Sequence, residues 1–313
     1  MANRRVGLLV GRERSFPEAL IAEVNRRNAG VEAGYAQIEA PRAHQKPPYD
    51  VLVDRISHDV TCYQPVLKVA ALHGTRVINN PFWRIADDKF FNAALAHALG
   101  VKVPLTAVLP SRAYGEDVDA QSLTNLRLVD WDALERELGY PMFIKPHWGG
   151  GWRGVSRVQN REELLAAYDR SERLTMLVQQ EIRWVQYVRC LAVGAEHVRP
   201  ALWDPRQPHL QRYTEAPSSM PPLSAETLER VVGDARKLNR ALGYEMNTVE
   251  FAITEHGEAY AIDFMNSAPD LDVTSLGEEH FRWVVEKMAD LVVRAALDPS
   301  SAPAHRWDAL LGA

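Results

Sequence analysis

Short apolar runs alternate with longer amphipathic stretches from the start of the chain to about residue 100. Val6 to Val10 reads as a strand, Phe16 to Arg27 as a helix opened by the capping-box pair Ser15 and Glu18, and Tyr35 to Glu39 as a second strand. Val51 to Asp54, a helix over Pro65 to His73, a strand over Arg76 to Asn79 and a helix over Phe82 to Leu99 continue the rhythm. Connections this short suit βαβ units, so the pattern predicts an α/β fold beginning with a parallel sheet. After the first strand Gly11-Arg12-Glu13-Arg14-Ser15 offers one glycine, so an NAD-type phosphate fingerprint has no support.

From Pro110 to Asp130 the pattern turns polar and irregular, which marks a candidate boundary or surface insertion. A second unit then runs through a helix near Asp132 to Leu138, a strand Met142 to Lys145, a glycine-rich turn, a strand Gly154 to Val158, a helix capped by Asn160 and a strand Met176 to Gln180. A third holds a strand Tyr187 to Val193, a proline- and arginine-rich excursion from Arg199 to Pro222, a helix from Ala225 to Leu242, a hairpin, and a last helix near Glu278 to Ala296.

That hairpin, Asn247 to Asp272, carries the clearest chemistry. Two strand-like runs meet at His256-Gly257, and pairing Glu255 with Glu258 across a two-residue turn sets Glu250 opposite Asp263. Opposed side chains in an antiparallel pair lie roughly 4.5–5.5 Å apart at Cβ, where two carboxylates repel unless a positive charge lies between them. A divalent cation answers that need, and the amide oxygen of Asn266 adds a third oxygen ligand of the kind magnesium accepts, with manganese as the alternative. Phe251, Ile253, Ile262 and Phe264 account for a buried face but leave the acids unexplained; a solvated acidic face is the bland alternative.

A second signal lies in Ile144-Lys145-Pro146-His147-Trp148-Gly149-Gly150-Gly151-Trp152-Arg153-Gly154, a lysine at a strand end beside four glycines. Glycines let backbone N–H groups approach anionic oxygens closely, and the ammonium supplies a point charge for the same anion. A flexible hairpin loop is the alternative, and Trp148 and Trp152 read first as packing anchors.

Composition narrows the rest. With 313 residues, 46% hydrophobic and 25% charged, the chain is long enough for two or three packed units, and a net charge of -5 gives no global pull toward nucleic acid. Cys62 and Cys190 stand far apart without metal-ligand spacing, which fits a reducing, cytoplasmic setting. The basic start MANRRVGLLVGRER has too short an apolar run for a signal segment or membrane span, so no membrane role is expected.

The order of these elements resembles the ATP-grasp superfamily across most of the chain. Val77-Ile78-Asn79-Asn80-Pro81, Asp88-Lys89 and Gly100-Val101-Lys102-Val103-Pro104 are similar to the passage from that family's first domain into its nucleotide lobe. Tyr140-Pro141-Met142-Phe143-Ile144-Lys145-Pro146 is similar to its second lysine strand, and Val178-Gln179-Gln180-Glu181-Ile182 to its adenine hinge. The resemblance implies a three-lobed fold: an N-terminal α/β domain (1–105), a small lobe with the glycine loop (106–180) and a large lobe with the metal hairpin (181–313), the latter two clamping ATP. It implies Lys89 and Lys145 at the phosphates, Gly149, Gly150 and Gly151 as their cover, Gln180, Glu181 and Ile182 at the adenine, and Glu250, Asp263 and Asn266 at magnesium. Arg189 would neutralise the transferred phosphate. Arg55, Arg199 and Arg212 are candidates for a substrate carboxylate, with Asp54, His58 and Tyr63 beside the first. The implied activity is an ATP-dependent carboxylate–amine ligase working through an acyl phosphate on amino acids or small peptides, with a homodimer as the expected assembly. Two departures are visible: Gln186 stands where an acid often meets the ribose, and Asp263-Phe264-Met265-Asn266 has one residue more than the usual Glu-x-Asn pattern. They leave room for an ATP-binding regulatory protein of the same fold without ligase activity, as in synapsin-like relatives.

Overall fold

In the computed structural model, residues 3–38, 42–45, 47–82, 88–264 and 266–301 are described here. They form three four-stranded sheets, distributed over two compact units.

The first unit comprises Met1–Ile85, Trp184–Ala259 and Asp263–Ala313. Its parallel sheet has the order β2-β1-β3-β4, from β1 (Arg4–Leu9), β2 (Val31–Tyr35), β3 (Val51–Asp54) and β4 (Arg76–Ile78). Leu8 pairs with Val53, and Val51 to Val53 are wholly buried, as expected for a parallel strand covered on both faces. Leu9, Leu52, Leu67, Ala70 and Val77 pack one face around Tyr49, with α2 (Tyr63–Leu72) supplying Leu67 and Ala70. On α1 (Ser15–Arg26), Phe16, Leu20 and Val24 turn inward at helical spacing. The expected Ser15 and Glu18 capping box does not form. Ser15 Oγ instead donates to Asp272 Oδ2 at 2.8 Å and accepts the Val273 N–H, so it helps begin α8 (Val273–Leu297) rather than α1. The second strand falls four residues earlier than the apolar run suggested, and the end placed at Glu39 lies outside the described residues, as do positions 83–87 of the helix expected from Phe82.

The other sheet of this unit has the order β10-β9-β11-β12, with β9 (Gln186–Val193), β10 (His197–Leu202), β11 (Met246–Ile253) and β12 (Ala259–Asp263). Every residue of β9 is buried. The strand β10 occupies the start of what reads in sequence as an irregular excursion. Between it and β11 lie α6 (Ala216–Ser219) and α7 (Ala225–Leu242), the latter capped by Ser224 and ended by Gly243 in the left-handed region at φ 69°.

The second unit, Ala86–Arg183 with Tyr260–Ile262, holds the antiparallel sheet β5-β8-β6-β7. Its strands are β5 (Thr106–Leu109), β6 (Met142–Pro146), β7 (Ser156–Val158) and β8 (Met176–Gln180), with α3 (Lys89–Ala98), α4 (Trp131–Leu138) and α5 (Arg161–Asp169). Met142, Ile144, Val158, Leu164 and Val178 form its core.

Candidate functional site

In the second unit the pleat of β6 buries Met142 and Ile144 and leaves Lys145 half-buried on the other face. Lys145 Nζ donates to Gln179 Oε1 at 2.8 Å, and Gln179 Nε2 donates to Thr106 Oγ1 at 2.9 Å, so a neighbouring strand aims the ammonium. Lys89 opens α3, which Asp88 caps by accepting from the N–H groups of Phe90 and Phe91. Its own N–H donates to His147 O at 3.1 Å and its Nζ to Gly149 O, which ties this lysine to the glycine loop.

Gly149 and Gly151 have φ 98° and 68°, and a Cβ built on either would meet nothing within 4 Å. Backbone freedom, rather than lack of room, therefore calls for glycine there. Trp152 holds φ 61°, a conformation unusual for a bulky residue. Trp148 and Trp152 are 52% and 63% exposed, so neither is the packing anchor that its sequence context suggests.

Gln180 closes β8 and its N–H donates to Leu105 O; Ile182 is half-buried just beyond. The Glu181 carboxylate is gripped from both sides by Arg157, with Nε at 2.6 Å and Nη2 at 2.8 Å. The Glu181 side chain, expected at an adenine, is thus already engaged.

In the first unit, β9 and β11 pair so that Arg189 faces Glu250 directly, with Tyr187 and Thr248 two residues away on the same face. Arg189 Nε lies 3.4 Å from Glu250 Oε1, an ion-pair distance without hydrogen-bond geometry, while Nη1 donates to Tyr213 Oη and Nη2 to Thr248 Oγ1, both at 3.2 Å. Tyr187 donates its hydroxyl to Glu250 Oε2 at 3.1 Å. Burial pushes the Glu250 carboxyl up to about 7; Asp263 adds to this, and the attraction of Arg189 only partly offsets it. Burial acts against the Arg189 charge, yet Tyr213, Glu250 and Asp270 hold its pKa above the ordinary arginine range. Burial and the Glu250 charge hold the Tyr187 phenol well above its ordinary value, so it remains a donor.

The hairpin turn differs by one residue from the expected one. Thr254 N–H donates to Glu258 O and Gly257 N–H to Thr254 O, so the loop is Glu255-His256-Gly257, with Gly257 at φ 76°. This is the three-residue turn with a left-handed third position, and the closing pair is Thr254 with Glu258 rather than Glu255 with Glu258. The pairing expected to set Glu250 directly opposite Asp263 therefore does not form, since counting outward from Thr254 and Glu258 brings Glu250 to Ile262; Asp263, one position on, still lies close enough to raise Glu250. Among the described residues no group of three or more His, Cys, Asp or Glu side chains forms a metal cluster, so the candidate set is two carboxylates and the Asn266 amide. The fit with a hard divalent cation is good on one observation: a buried carboxylate whose pKa is raised in part by a second acid is a place where added positive charge is favourable.

The three arginines considered for a substrate differ sharply. Arg55 is 6% exposed and wholly engaged: it bonds Glu13 through Nε (2.9 Å) and Nη2 (2.5 Å), Pro269 O (2.6 Å) and Met246 Sδ, and stacks on Phe16. Its neighbour Asp54 caps its own turn through Ile56 N, Ser57 N and Ser57 Oγ. Arg199 donates to His280 Nδ1 at 2.9 Å and to Glu279, and lies over Trp283. Because Arg199 always donates, His280 keeps its lone pair on Nδ1, and burial together with Arg199 lowers its pKa. Arg212 stacks on Trp203 at 5.1 Å, bonds Gln207 O, and makes no direct ion pair among the described residues, although its charge helps to lower the Glu250 pKa; Arg189 lies over the same indole at 5.3 Å. Gln186 donates to Pro221 O and Pro222 O, which anchors the excursion.

Tyr187 and Thr248 were recoverable in sequence from alternation about Arg189 and Glu250. Tyr213, Trp203, Asp270, Gln179 and Asn79 had no such signal, since loops or distant strands bring them in, and Asn247, though on β11 itself, faces partners that alternation does not reveal.

No protein-family model matches the chain. It is 28% identical over 204 residues to D-alanine–D-alanine ligase B of Chromobacterium violaceum, covering 61% of this chain and 60% of that protein. It is 25% identical over 261 residues to the mitochondrial pyruvate carboxylase of Rattus norvegicus, covering 74% of this chain and 22% of that one. The chain therefore spans less than two thirds of these relatives. Among solved structures, a RimK domain ATP-grasp protein from Sphaerobacter thermophilus superposes with a TM-score of 0.64 at 21% identity, over 92% of this chain and 99% of that one. This chain has the ATP-grasp fold. The D-alanine–D-alanine ligase of Bacillus anthracis complexed with ATP superposes with a TM-score of 0.63 at 16% identity, over 94% of this chain and 97% of that one. No helix of the described residues is long and apolar enough to cross a membrane.

Proposed function

We propose that this protein is an ATP-dependent ligase that joins a carboxylate to an amine through an acyl phosphate, releasing ADP and phosphate. The observation that carries the reading is the Arg189–Glu250 pair with Asp263. A charged guanidinium on β9 and an acid pair on β11 and β12 suited to a divalent cation stand together on three successive strands of one sheet, beside Tyr187, Tyr213 and Trp203. Attack of a carboxylate on a phosphoryl group brings negative charges together, so the chemistry asks for fixed positive charge more than for a protein acid or base.

In this reading Lys89 and Lys145 bind nucleotide phosphates, and Gly149 to Gly151 present backbone N–H groups to them. Gln180, Glu181 and Ile182 receive the adenine chiefly through backbone groups, because Arg157 holds the Glu181 carboxylate. Glu250, Asp263 and Asn266 hold magnesium, which when bound supplies charge neutralisation and orientation for the phosphates. Arg189 stabilises the transferred phosphoryl charge, and the Tyr187 hydroxyl keeps the Glu250 carboxylate turned toward the site.

Arg212 is the arginine we assign to a substrate carboxylate, since its guanidinium is stacked in place on Trp203, is within electrostatic reach of Glu250, and makes no direct ion pair among the described residues. Arg55 serves the fold through Glu13 and Pro269. The substrates are amino acids or small peptides, a class supported by the D-alanine–D-alanine ligases among the relatives.

The test is phosphate release from magnesium ATP against pools of amino acids, small peptides and other carboxylates, beside Lys145→Ala. Release that requires both a carboxylate and an amine, and is lost in the variant, supports the ligase. Magnesium-dependent ATP binding with no turnover on any pool would favour a regulatory protein, and absence of ATP binding would sink the nucleotide reading.

A further inference from the structure

The extra residue between Asp263 and Asn266 poses a geometric problem, because in a regular strand those two side chains would point to opposite faces. The strand β12 ends at Asp263, and what holds the chain beyond it is a pair of side-chain amides. Asn247, 2% exposed near the start of β11, behaves as a surrogate peptide group. Its Nδ2 donates to Phe264 O at 3.0 Å and its Oδ1 accepts Asn266 N–H at 2.9 Å, so one carboxamide grips the backbone on both sides of the extra position. The second Nδ2 hydrogen goes to Asn239 Oδ1 on α7 at 2.8 Å, which fixes the amide's orientation.

Asn79, just after β4, holds the next residue. Its Nδ2 donates to Ser267 O at 3.2 Å and Met246 O at 2.8 Å, and its Oδ1 accepts the N–H groups of Glu245 and Met246 at 2.8 and 2.9 Å. Two donors and two acceptors are the full capacity of an amide, and all are used. The same two side chains thus hold the strand that carries Glu250 and the segment that carries Asn266 in one fixed relation. Leucine at either place would leave several backbone groups unsatisfied.

We propose that Asn79 and Asn247 are positioning residues that set where Asn266 presents its amide relative to Glu250 and Asp263, an inference that rests on the metal-site reading above. Their replacement by aspartate separates acceptor from donor function. Asn79→Asp keeps the bonds from Glu245 and Met246 N–H and loses those to Met246 O and Ser267 O. Asn247→Asp keeps Asn266 N–H and sets a carboxylate oxygen against Phe264 O and Asn239 Oδ1.

The experiment measures Mn2+ affinity of the full chain by electron paramagnetic resonance, with and without a non-hydrolysable ATP analogue. The proteins are the wild type, N79D, N247D, N266A and the doubles N79D/N266A and N247D/N266A. Weakening of about tenfold or more is expected for each single variant, as is usual when a ligand's supporting hydrogen bond is lost. Once the Asn266 side chain is gone, the aspartate substitutions should add less than twofold. Where N247D does not fold, the milder N79D carries the test. Single variants that bind Mn2+ within twofold of wild type, or that weaken it equally in the N266A background, would overturn the inference while leaving the metal site standing. A wild type that binds no Mn2+ would overturn the metal-site reading and the inference with it.

Discussion

Glu250 gives the sharpest quantitative expectation, because its carboxyl is pushed from 4.5 to about 7 by burial and by Asp263, against the pull of Arg189. In the unfolded chain this group ionises near its ordinary value, so between about pH 4.5 and 7 the folded protein holds a proton that the unfolded one has released. Stability then falls as pH rises through that window and levels off above it, the reverse of an ion-paired surface acid. At 1.36 kcal/mol per pH unit the difference amounts to roughly 3 kcal/mol above pH 7. Glu250→Gln mimics the protonated form in size and keeps an acceptor for Tyr187. In metal-free protein the variant should therefore match wild type near pH 4.5 and exceed it by up to about 3 kcal/mol at pH 8, as read by urea unfolding in EDTA at half-unit steps. The attraction between Arg189 and the carboxylate is already contained in that difference.

Magnesium should reverse the order. A divalent cation favours the ionised carboxylate, so binding to wild type should tighten as pH rises toward 7 and release a proton, whereas E250Q should gain little from the metal. A stability difference between the two proteins that does not change from pH 5 to 8, or an E250Q protein less stable than wild type at pH 8 without metal, would refute the account of Glu250 as a buried acid waiting for a cation.

Three further outcomes follow from the same geometry. Lys145→Ala should lower ATP-dependent phosphate release by ~10²–10³ while circular dichroism and thermal unfolding stay near wild type; retained turnover would remove this lysine from the phosphate site. Arg189→Lys should lower kcat by a similar ~10² with KM changed less than threefold, because a point charge cannot reproduce the forked contacts to Tyr213 and Thr248; a variant altered mainly in KM would place Arg189 at ground-state binding instead. Arg55→Ala should cost about 3–5 kcal/mol of stability by leaving Glu13 and Pro269 O without their partner, as seen by denaturant unfolding, and a stable variant with a raised substrate KM would restore Arg55 to the substrate site.

How far the site could be read in advance depended on whether a residue's role is local. Period-two alternation and a glycine turn are properties of a few consecutive positions, so the acid hairpin, the Lys145 strand and the Arg189 strand were legible, and the parallel sheet with them. The register at the turn was not. Two-residue and three-residue hairpin loops differ by where the left-handed residue falls, and His256-Gly257 is compatible with both until the Thr254–Glu258 bond selects the longer. Arg55 shows the larger limit. An arginine at the end of a parallel strand stands where ligands usually bind, yet its guanidinium is claimed by Glu13 from the β1 loop and by Pro269 from a segment over two hundred positions away. Asn79 and Asn247 are the converse: both stand in stretches that the sequence singles out, yet neither carries a charge, and their importance comes from the groups they reach. The unusual Asp263 to Asn266 spacing was visible as an anomaly, and its resolution lay in an amide seventeen residues before Phe264 and another nearly two hundred before Ser267. A departure from a local pattern therefore pointed to the right place in the molecule, while the groups that compensate for it were distant in sequence by necessity, since the strand itself had no residue left with which to do so.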